Sequence, residues 1–288
     1  MEESSSEINV GKGNIPSPGR RKFLKRFLIG GAGLGIAYVD GFMIEPNDVD
    51  ITYHNYISDK VISPFRIVHI SDLHLDKGKS LEGRAPSLVN RLQPDLLLMT
   101  GDYINNFNPT KSEIDYLDRF SSKISAKEGK YASFGNWDIE GKDRMFRNSD
   151  VIPLKNEMKS VNIGYNNINI AGLNYESTSN LDNLLGDMDN SRLNILLYHT
   201  PDLIEDVAKK DIVDLYLAGH THGGQVRIPF YGAIASFSKF GKKYESGRYN
   251  VENTTLYVNR GLGECREFPK IRLFCKPEIT VFDVYPKT

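Results

Sequence analysis

The sequence predicts a layered α/β fold, and three observations carry that prediction. The first is five short apolar runs bounded by turn residues: Arg66 to Ser71, Leu96 to Thr100, Tyr131 to Phe134, Asn194 to Tyr198 and Asp214 to Ala218. The second is helical periodicity between several of these runs, the pattern of strands joined by crossover helices. The third is a polar cluster just past each run: Asp72 and His74, then Gly101-Asp102, then Gly135-Asn136-Trp137-Asp138, then His199, then Gly219-His220-Thr221-His222. In open α/β sheets the residues just past the strand ends face one crevice, so five strand ends deliver acidic, amide and imidazole groups to one place.

Taken in order, Asp50 to Ile57 (Ile51, Tyr53, Tyr56, Ile57) reads as an early strand, and Pro64 introduces the first central one. Apolar residues at helical spacing predict helices over Pro86 to Leu92 (Leu88, Val89, Leu92) and Ser112 to Ile124 (Ile114, Leu117, Phe120, Ile124). From Val151 to Leu173, short apolar segments alternate with turns at Gly164 and Asn166-Asn167, which predicts a second sheet beginning there. A helix from Pro201 to Lys210 comes directly after His199. Gln225 to Pro229 reads as a strand entering a long loop with Phe230, Tyr231, Phe237, Lys239, Phe240, Lys242 and Lys243. Apolar groups beside cations suit an amphiphilic phosphate, while a packing cluster with solvated lysines is the plainer reading.

At 288 residues and 40% hydrophobic content the chain can bury one substantial core, and nothing in it demands two domains. Lys and Arg number 36 against 37 Asp and Glu, a balance that disfavours nucleic acid as a partner, because duplex binding needs a concentrated basic face. Residues 1 to 19 are polar, contain Pro16 and Pro18, and read as a disordered tail. Residues 20 to 45 begin Arg20-Arg21-Lys22-Phe23-Leu24-Lys25, which resembles a twin-arginine export signal, and continue in a Gly-rich apolar stretch from Phe27 to Phe42. That stretch is shorter than a bilayer span of about 20 residues and carries Asp40. It lacks a clear small-x-small cleavage site, so an uncleaved membrane anchor fits as well as a signal, and a basic amphipathic surface helix is the alternative. Residues 50 to 288 form the remaining domain. The two cysteines, Cys265 and Cys275, could pair in an exported protein or remain reduced.

The His220-x-His222 pair on a glycine-flanked turn is how a metal site is built, since imidazole is a ligand for zinc, iron and manganese and glycine lets the backbone bend around an ion. An Asp after a strand is ordinarily a turn residue and a single His ordinarily structural, but four of the six histidines fall in this pattern. His54 and His69 are left as structural.

The ordered set Asp72-x-His74, Gly101-Asp102, Gly135-Asn136, His199 and Gly219-His220-x-His222 resembles the calcineurin-like metallophosphoesterase family, over roughly residues 65 to 285. Gly261-Leu262-Gly263 followed by Ile271 to Ile279 resembles the end of a bacterial subgroup that is exported or membrane-attached. The resemblance implies a four-layer α-β-β-α sandwich with two mixed sheets. It implies two metal ions, Mn, Fe or Zn, one held by Asp72, His74 and His222 and the other by Asn136, His199 and His220, with Asp102 bridging. It implies attack on phosphorus by a hydroxide between the ions, with Asp102, Asn136 and His74 as the catalytic set. The residues themselves add Gly223 and Gly224, which let a phosphate approach the backbone, and Trp137 as an apolar wall beside the substrate.

One position departs from the family pattern. Most relatives carry a His after the motif Asn that protonates the leaving oxygen, and here that position is Trp137, whose indole has no proton to give at neutral pH. The expected substrate is therefore a pyrophosphate, whose leaving group is already stable as an anion, or a diester whose leaving oxygen is protonated by solvent or His74. Relatives that cleave the pyrophosphate of UDP-2,3-diacylglucosamine also lack a His there, which makes such a lipid A precursor a candidate. The expectation is an envelope-located phosphodiesterase or pyrophosphatase acting on a lipid or cell-wall precursor, with the twin-arginine translocase as partner and the membrane contacted through the N-terminus. A catalytically degenerate metal-binding scaffold and a nuclease are the competing readings.

Overall fold

The computed structural model describes residues 40–76, 80–264 and 271–288. The predicted tail, the twin-arginine sequence through residue 39, and Cys265 lie outside the described residues. Among the described residues no helix is long and apolar enough to cross a membrane.

The strands are β1 (Asp50–Ser58), β2 (Phe65–Ile70), β3 (Leu96–Thr100), β4 (Lys130–Ser133), β5 (Val151–Pro153), β6 (Glu157–Ile163), β7 (Asn166–Leu173), β8 (Leu193–Tyr198), β9 (Leu215–Ala218), β10 (Arg227–Ile228), β11 (Gly232–Ala233), β12 (Gly247–Val251), β13 (Thr254–Val258) and β14 (Glu278–Pro286). They form two six-stranded mixed sheets, ordered β1-β14-β2-β3-β4-β5 and β12-β13-β9-β8-β7-β6, and a small β10-β11 hairpin. β2, β3, β4 and β5 run parallel, as do β7, β8, β9 and β13. β3, β8 and β9 are buried along their whole length. Parallel strands covered on both faces need continuous apolar runs, which is why these segments show little polar alternation.

Three apolar clusters define four layers. Ile67, Leu96, Leu98 and Phe282 of the first sheet meet Ile168, Ile170, Ile195, Leu197 and Leu217 of the second between the sheets. On the outside of the first sheet, Val68, Leu97 and Met99 pack against Val89 of α1 (Ser80–Arg91) and Ile114, Leu117 and Phe120 of α2 (Lys111–Ser121). On the outside of the second sheet, Leu196, Tyr216 and Leu256 pack against Leu181, Leu184 and Leu185 of α3 (Leu181–Gly186) and Ile204 and Val207 of α4 (Ile204–Ala208). The order is α-β-β-α, with two mixed sheets inside. α2 opens on a capping box in which the Thr110 hydroxyl accepts from Glu113 N–H and the Glu113 carboxylate accepts from Thr110 N–H.

Four elements differ from the sequence prediction. Val151–Pro153 adds to the edge of the first sheet, and the second sheet begins at Glu157. Alternation shows that a segment is a strand but not which sheet it joins; here a turn through Asn156, at φ 59°, redirects the chain between them. α1 starts at Ser80, six residues before Pro86, because its first turns lack the apolar spacing that would reveal them. The helix after His199 is a 3-10 turn, Pro201–Leu203, leading into Ile204–Ala208. Gln225 to Pro229 yields only the two-residue β10, paired to Gly232–Ala233.

Leu197 is fully buried between the sheets, one residue before the end of β8 and two before His199. Leu197→Ala is expected to destabilise the fold by about 2–5 kcal/mol, read as a lower urea midpoint with an unchanged slope.

Candidate dimetal centre

Every predicted ligand except His74 and His222, which sit one step further along the same loops, lies within a few residues of a strand C-terminus: Asp72 after β2, Asp102 after β3, Asn136 after β4, His199 after β8 and His220 after β9. The loops continue the sheet register past the strands, with Asp72 N–H donating to Gly101 O (3.0 Å), His74 N–H to Asp102 O (2.9 Å) and Gly219 N–H to His199 O (2.8 Å). Asp72, His74, Asp102, His220 and His222 all have positive φ, between 39° and 71°. Asp, Asn and His tolerate this left-handed region better than other non-glycine residues, and strained backbone of this kind collects at functional sites.

The side chains converge in two groups. Asp72, His74 and His222 place ligand atoms within 4.8 Å of one another, and Asp102, His199 and His220 do the same. Asp102 Oδ2 stands between the groups, 3.1 Å from His199 Nε2 and 3.7 Å from His74 Nε2. Its other oxygen, Oδ1, accepts the Trp137 backbone N–H at 2.9 Å. Asp72 accepts the His220 backbone N–H at 3.0 and 3.1 Å and lies 3.4 Å from His222 Nε2.

These residues fit metal ions on three counts. His199 donates Nδ1–H to Thr100 O at 2.6 Å, which turns the Nε2 lone pair toward Asp102 and His220. A carbonyl partner on the far nitrogen is the usual way a ligating imidazole is oriented. His74 Nε2 and His222 Nε2 face each other at 3.2 Å with the rings stacked, an arrangement in which two lone pairs repel unless a proton or cation lies between them. Asn136 Oδ1 is buried without a hydrogen-bond partner. An orphaned buried acceptor costs about 1–3 kcal/mol, and a cation is a partner that offsets it.

The electrostatics point the same way. Burial lowers the His199 imidazole, but the Asp102 carboxylate, by charge and hydrogen bond, together with Asp72, outweighs burial and raises it to about 10. Burial, reinforced by neighbouring His199, lowers His220 to about 4, and burial with His74 lowers His222. Asp72 is raised by burial, whereas Asp102 is held down because His199 outweighs the burial it suffers.

Asp138 holds the site together, a role that its place at the end of the Gly135 to Asp138 cluster does not reveal. Fully buried, it accepts N–H from Asp102 (2.7 Å), Tyr103 (3.0 Å) and Gly135 (2.8 Å), tying the loop after β3 to the loop after β4. Burial and the Asp102 charge push its carboxyl up to about 7. A side chain at Gly135 would overlap Asp102 Oδ1, so only glycine allows that approach.

Trp137 is buried beside the ligands. Its ring meets His74 edge-on (centroids 5.2 Å) and stacks on Phe107 (3.8 Å, 16°). Phe107 is partly exposed and carries no sequence signal, since it precedes α2 in an unpatterned loop. Gly223 and Gly224 have positive φ, and the space a side chain would fill faces Cys275 and Arg260 in the first case and Ala233 and Ala235 in the second. Their visible role is a tight turn packed against protein. His69 is buried and hydrogen-bonds Thr100 Oγ1 at 2.8 Å, and His54 lies 3.2 Å from Tyr257 Oη.

This geometry generates two expected outcomes. The Asp102 and Asp72 carboxylates favour the protonated form of His199 before metal binds, so binding is expected to release a proton and affinity to rise from pH 6 to 8; calorimetry in two buffers of different ionisation enthalpy measures that release. Asp138→Asn leaves one amide oxygen where two carboxylate oxygens served three N–H donors, and should weaken metal affinity about 10- to 100-fold by titration with metal.

The calcineurin-like phosphoesterase profile matches residues 65–224. A Bacillus subtilis metallophosphoesterase, YkuE, is 35% identical over 286 residues, covering 91% of this chain and 96% of its own. The Escherichia coli phosphodiesterase YaeI is 27% identical, covering 92% and 98%. The UDP-2,3-diacylglucosamine pyrophosphatase LpxG of Chlamydia muridarum is 26% identical, covering 83% and 90%. With the family matched across more than half its length and its two ligand groups assembled at the strand ends, the chain belongs to the calcineurin-like phosphoesterases and is a metal-dependent phosphoesterase.

Proposed function

We propose that this enzyme cleaves a phosphodiester or pyrophosphate bond whose leaving group is stable as an anion, in a lipid or cell-wall precursor of the cell envelope. The observation that carries this reading is Trp137: an indole packed against His74 where a proton donor would otherwise stand. Two ions of Mn, Fe or Zn, held by Asp72, His74 and His222 and by Asn136, His199 and His220 with Asp102 shared, would supply a nucleophilic water at neutral pH and neutralise charge on the phosphoryl group.

The chain's own residues do the rest. Asp102 fixes the separation of the two groups, because one of its oxygens is tied to the Trp137 N–H while the other lies between His199 and His74. His74 Nε2 lies 3.2 Å from His222 Nε2 and 3.7 Å from Asp102 Oδ2, the place of a metal ligand, which leaves solvent to protonate the leaving oxygen. Loss of a general acid costs about 10²- to 10⁴-fold for a poor leaving group and little for a phosphate. The Phe107–Trp137 stack offers a flat apolar wall for a sugar, base or acyl chain. The printed activities of YaeI and LpxG, a phosphodiesterase and a pyrophosphatase, support the two bond types. The Arg20-Arg21 sequence supports export through the twin-arginine translocase to the envelope, with the membrane contacted through the N-terminal segment.

The full chain with manganese should hydrolyse an activated aryl phosphodiester, and His222→Ala should lower that rate by at least about 10²-fold, since one ligand group is broken. Trp137→His tests the leaving-group argument: hydrolysis of an unactivated alkyl diester should rise about 10²-fold while the aryl rate stays near its original value. An unchanged alkyl rate, with metal content intact, sinks it.

A further inference from the structure

We infer that the β10-β11 hairpin and the adjoining Phe274 form a docking face for a lipid bilayer bearing anionic headgroups, which seats the dimetal centre over the membrane surface. Phe230, at the hairpin tip, is fully exposed, and Ile228, Tyr231, Ile234 and Phe274 beside it are also exposed. Single exposed apolar residues are ordinary, but four on one hairpin with Phe274 of a bonded neighbouring segment mark an interaction surface. The set is contiguous through hydrogen bonds: Arg227 N–H donates to Leu273 O, and Ile234 N–H to Val226 O. Phe274 lines one cavity with Ile228, Phe230 and the Arg227–Glu245 ion pair, and a second with Ile44, Lys276 and the carboxylates Asp40, Glu45 and Asp48, of which Asp48 pairs with Lys276.

Three observations commit the face to a bilayer. Residues Gly41 and Glu45 lie against the Phe274 segment, since Gly41 O accepts Arg272 N–H and the Glu45 carboxylate accepts the Phe274 N–H at 2.8 Å. Phe42, Met43 and Ile44, exposed beside that segment, are the last residues of the apolar sequence that begins at Phe27. From Val226 to Lys243 the sequence holds four cations, Arg227, Lys239, Lys242 and Lys243, and no carboxylate. Arg227 and Lys243 are paired to Glu245 and Glu205, while Lys242 lies over the Tyr231 ring and donates to Tyr231 O. Aromatic and aliphatic tips with lysines behind them match the boundary between acyl chains and anionic headgroups.

The face and the catalytic residues share one end of the molecule, because the hairpin chain leaves His222 directly through Gln225. For its consequence, access to a membrane-borne phosphate, the inference rests on the proposed function; the docking itself does not.

The test uses the full chain with Phe230→Trp, mixed with vesicles of phosphatidylglycerol and phosphatidylcholine carrying bromine on the acyl chains. The chain has one tryptophan, Trp137, which is buried, so the unsubstituted protein gives the background. Ile62→Trp is the control, exposed and placed before β2, at the opposite end of the sheet from Asp72. Both variants retain the N-terminal segment, so tethering alone treats them alike. Docking predicts a blue-shifted emission and at least about threefold stronger bromine quenching at position 230 than at 62, for a side chain reaching the acyl boundary. Equal quenching at the two positions, or none at 230, overturns the inference. A blue shift at 230 that grows with protein concentration in the absence of vesicles assigns the face to a second copy of the chain and also overturns it. No substrate enters the measurement, so its failure is separate from failure of the proposed reaction.

Discussion

The arrangement depends on burying two carboxylates within a few ångströms of each other. Asp72 and Asp102 are both removed from water, and removing a carboxylate costs several kcal/mol unless charge or hydrogen bonds replace the solvent. Here the replacements are backbone N–H groups of His220 and Trp137, and the His199 imidazole between them. Two anions facing one imidazolium is an incomplete balance, and of the remaining candidate ligands His220 and His222, both lowered by burial, and the amide Asn136 bring no charge to complete it. The site is built for cations, and the fold must hold it in shape before they arrive.

That requirement explains why the ligands stand on both sheets. Asp72, Asp102 and Asn136 come from β2, β3 and β4, while His199 and His220 come from β8 and β9. The apolar layer between the sheets, from Ile67 and Leu98 across to Leu197 and Leu217, is what fixes their separation. Close-packed interiors transmit small displacements, so a volume change in that layer moves one group of ligands against the other. The left-handed backbone at Asp72, His74, Asp102, His220 and His222 adds a further cost of about 1–3 kcal/mol each, which the three apolar clusters offset.

The central strands are legible in the sequence because burial on both faces demands an apolar run, and the candidate ligands because most come just after such a run. The features that escape the sequence are carried by contacts across long separations. Val151–Pro153 alternates like any strand, and only its pairing with Lys130 to Ala132 assigns it to the first sheet. Asp138 looks like another turn residue until its oxygens are seen to accept N–H groups from a loop some 35 residues earlier. Phe107 lies in a stretch with no periodicity at all, and its stack on Trp137 exists only in three dimensions.

Arg272 shows how the same physics couples the surface to the centre. It is fully buried, and its guanidinium donates to the carbonyls of Arg260, Gly261, Gly263 and Cys275, with the Glu264 and Asp72 carboxylates near enough to favour its charge. Burial lowers its pKa, yet a guanidinium remains charged, and its fork geometry suits a ring of carbonyls better than an ammonium would. The loop it gathers donates Leu262 N–H to Ser71 O and Gly263 N–H to Asp72 O, bracing the backbone of the first ligand. The same segment, Arg272 to Cys275, also bonds Gly41, Glu45, Gln225 and Arg227. Gly41 and Glu45, the apolar hairpin and the backbone of Asp72 therefore all bond the segment anchored by buried Arg272 and Cys275, so whatever seats on the hairpin is held at a fixed distance from the dimetal centre.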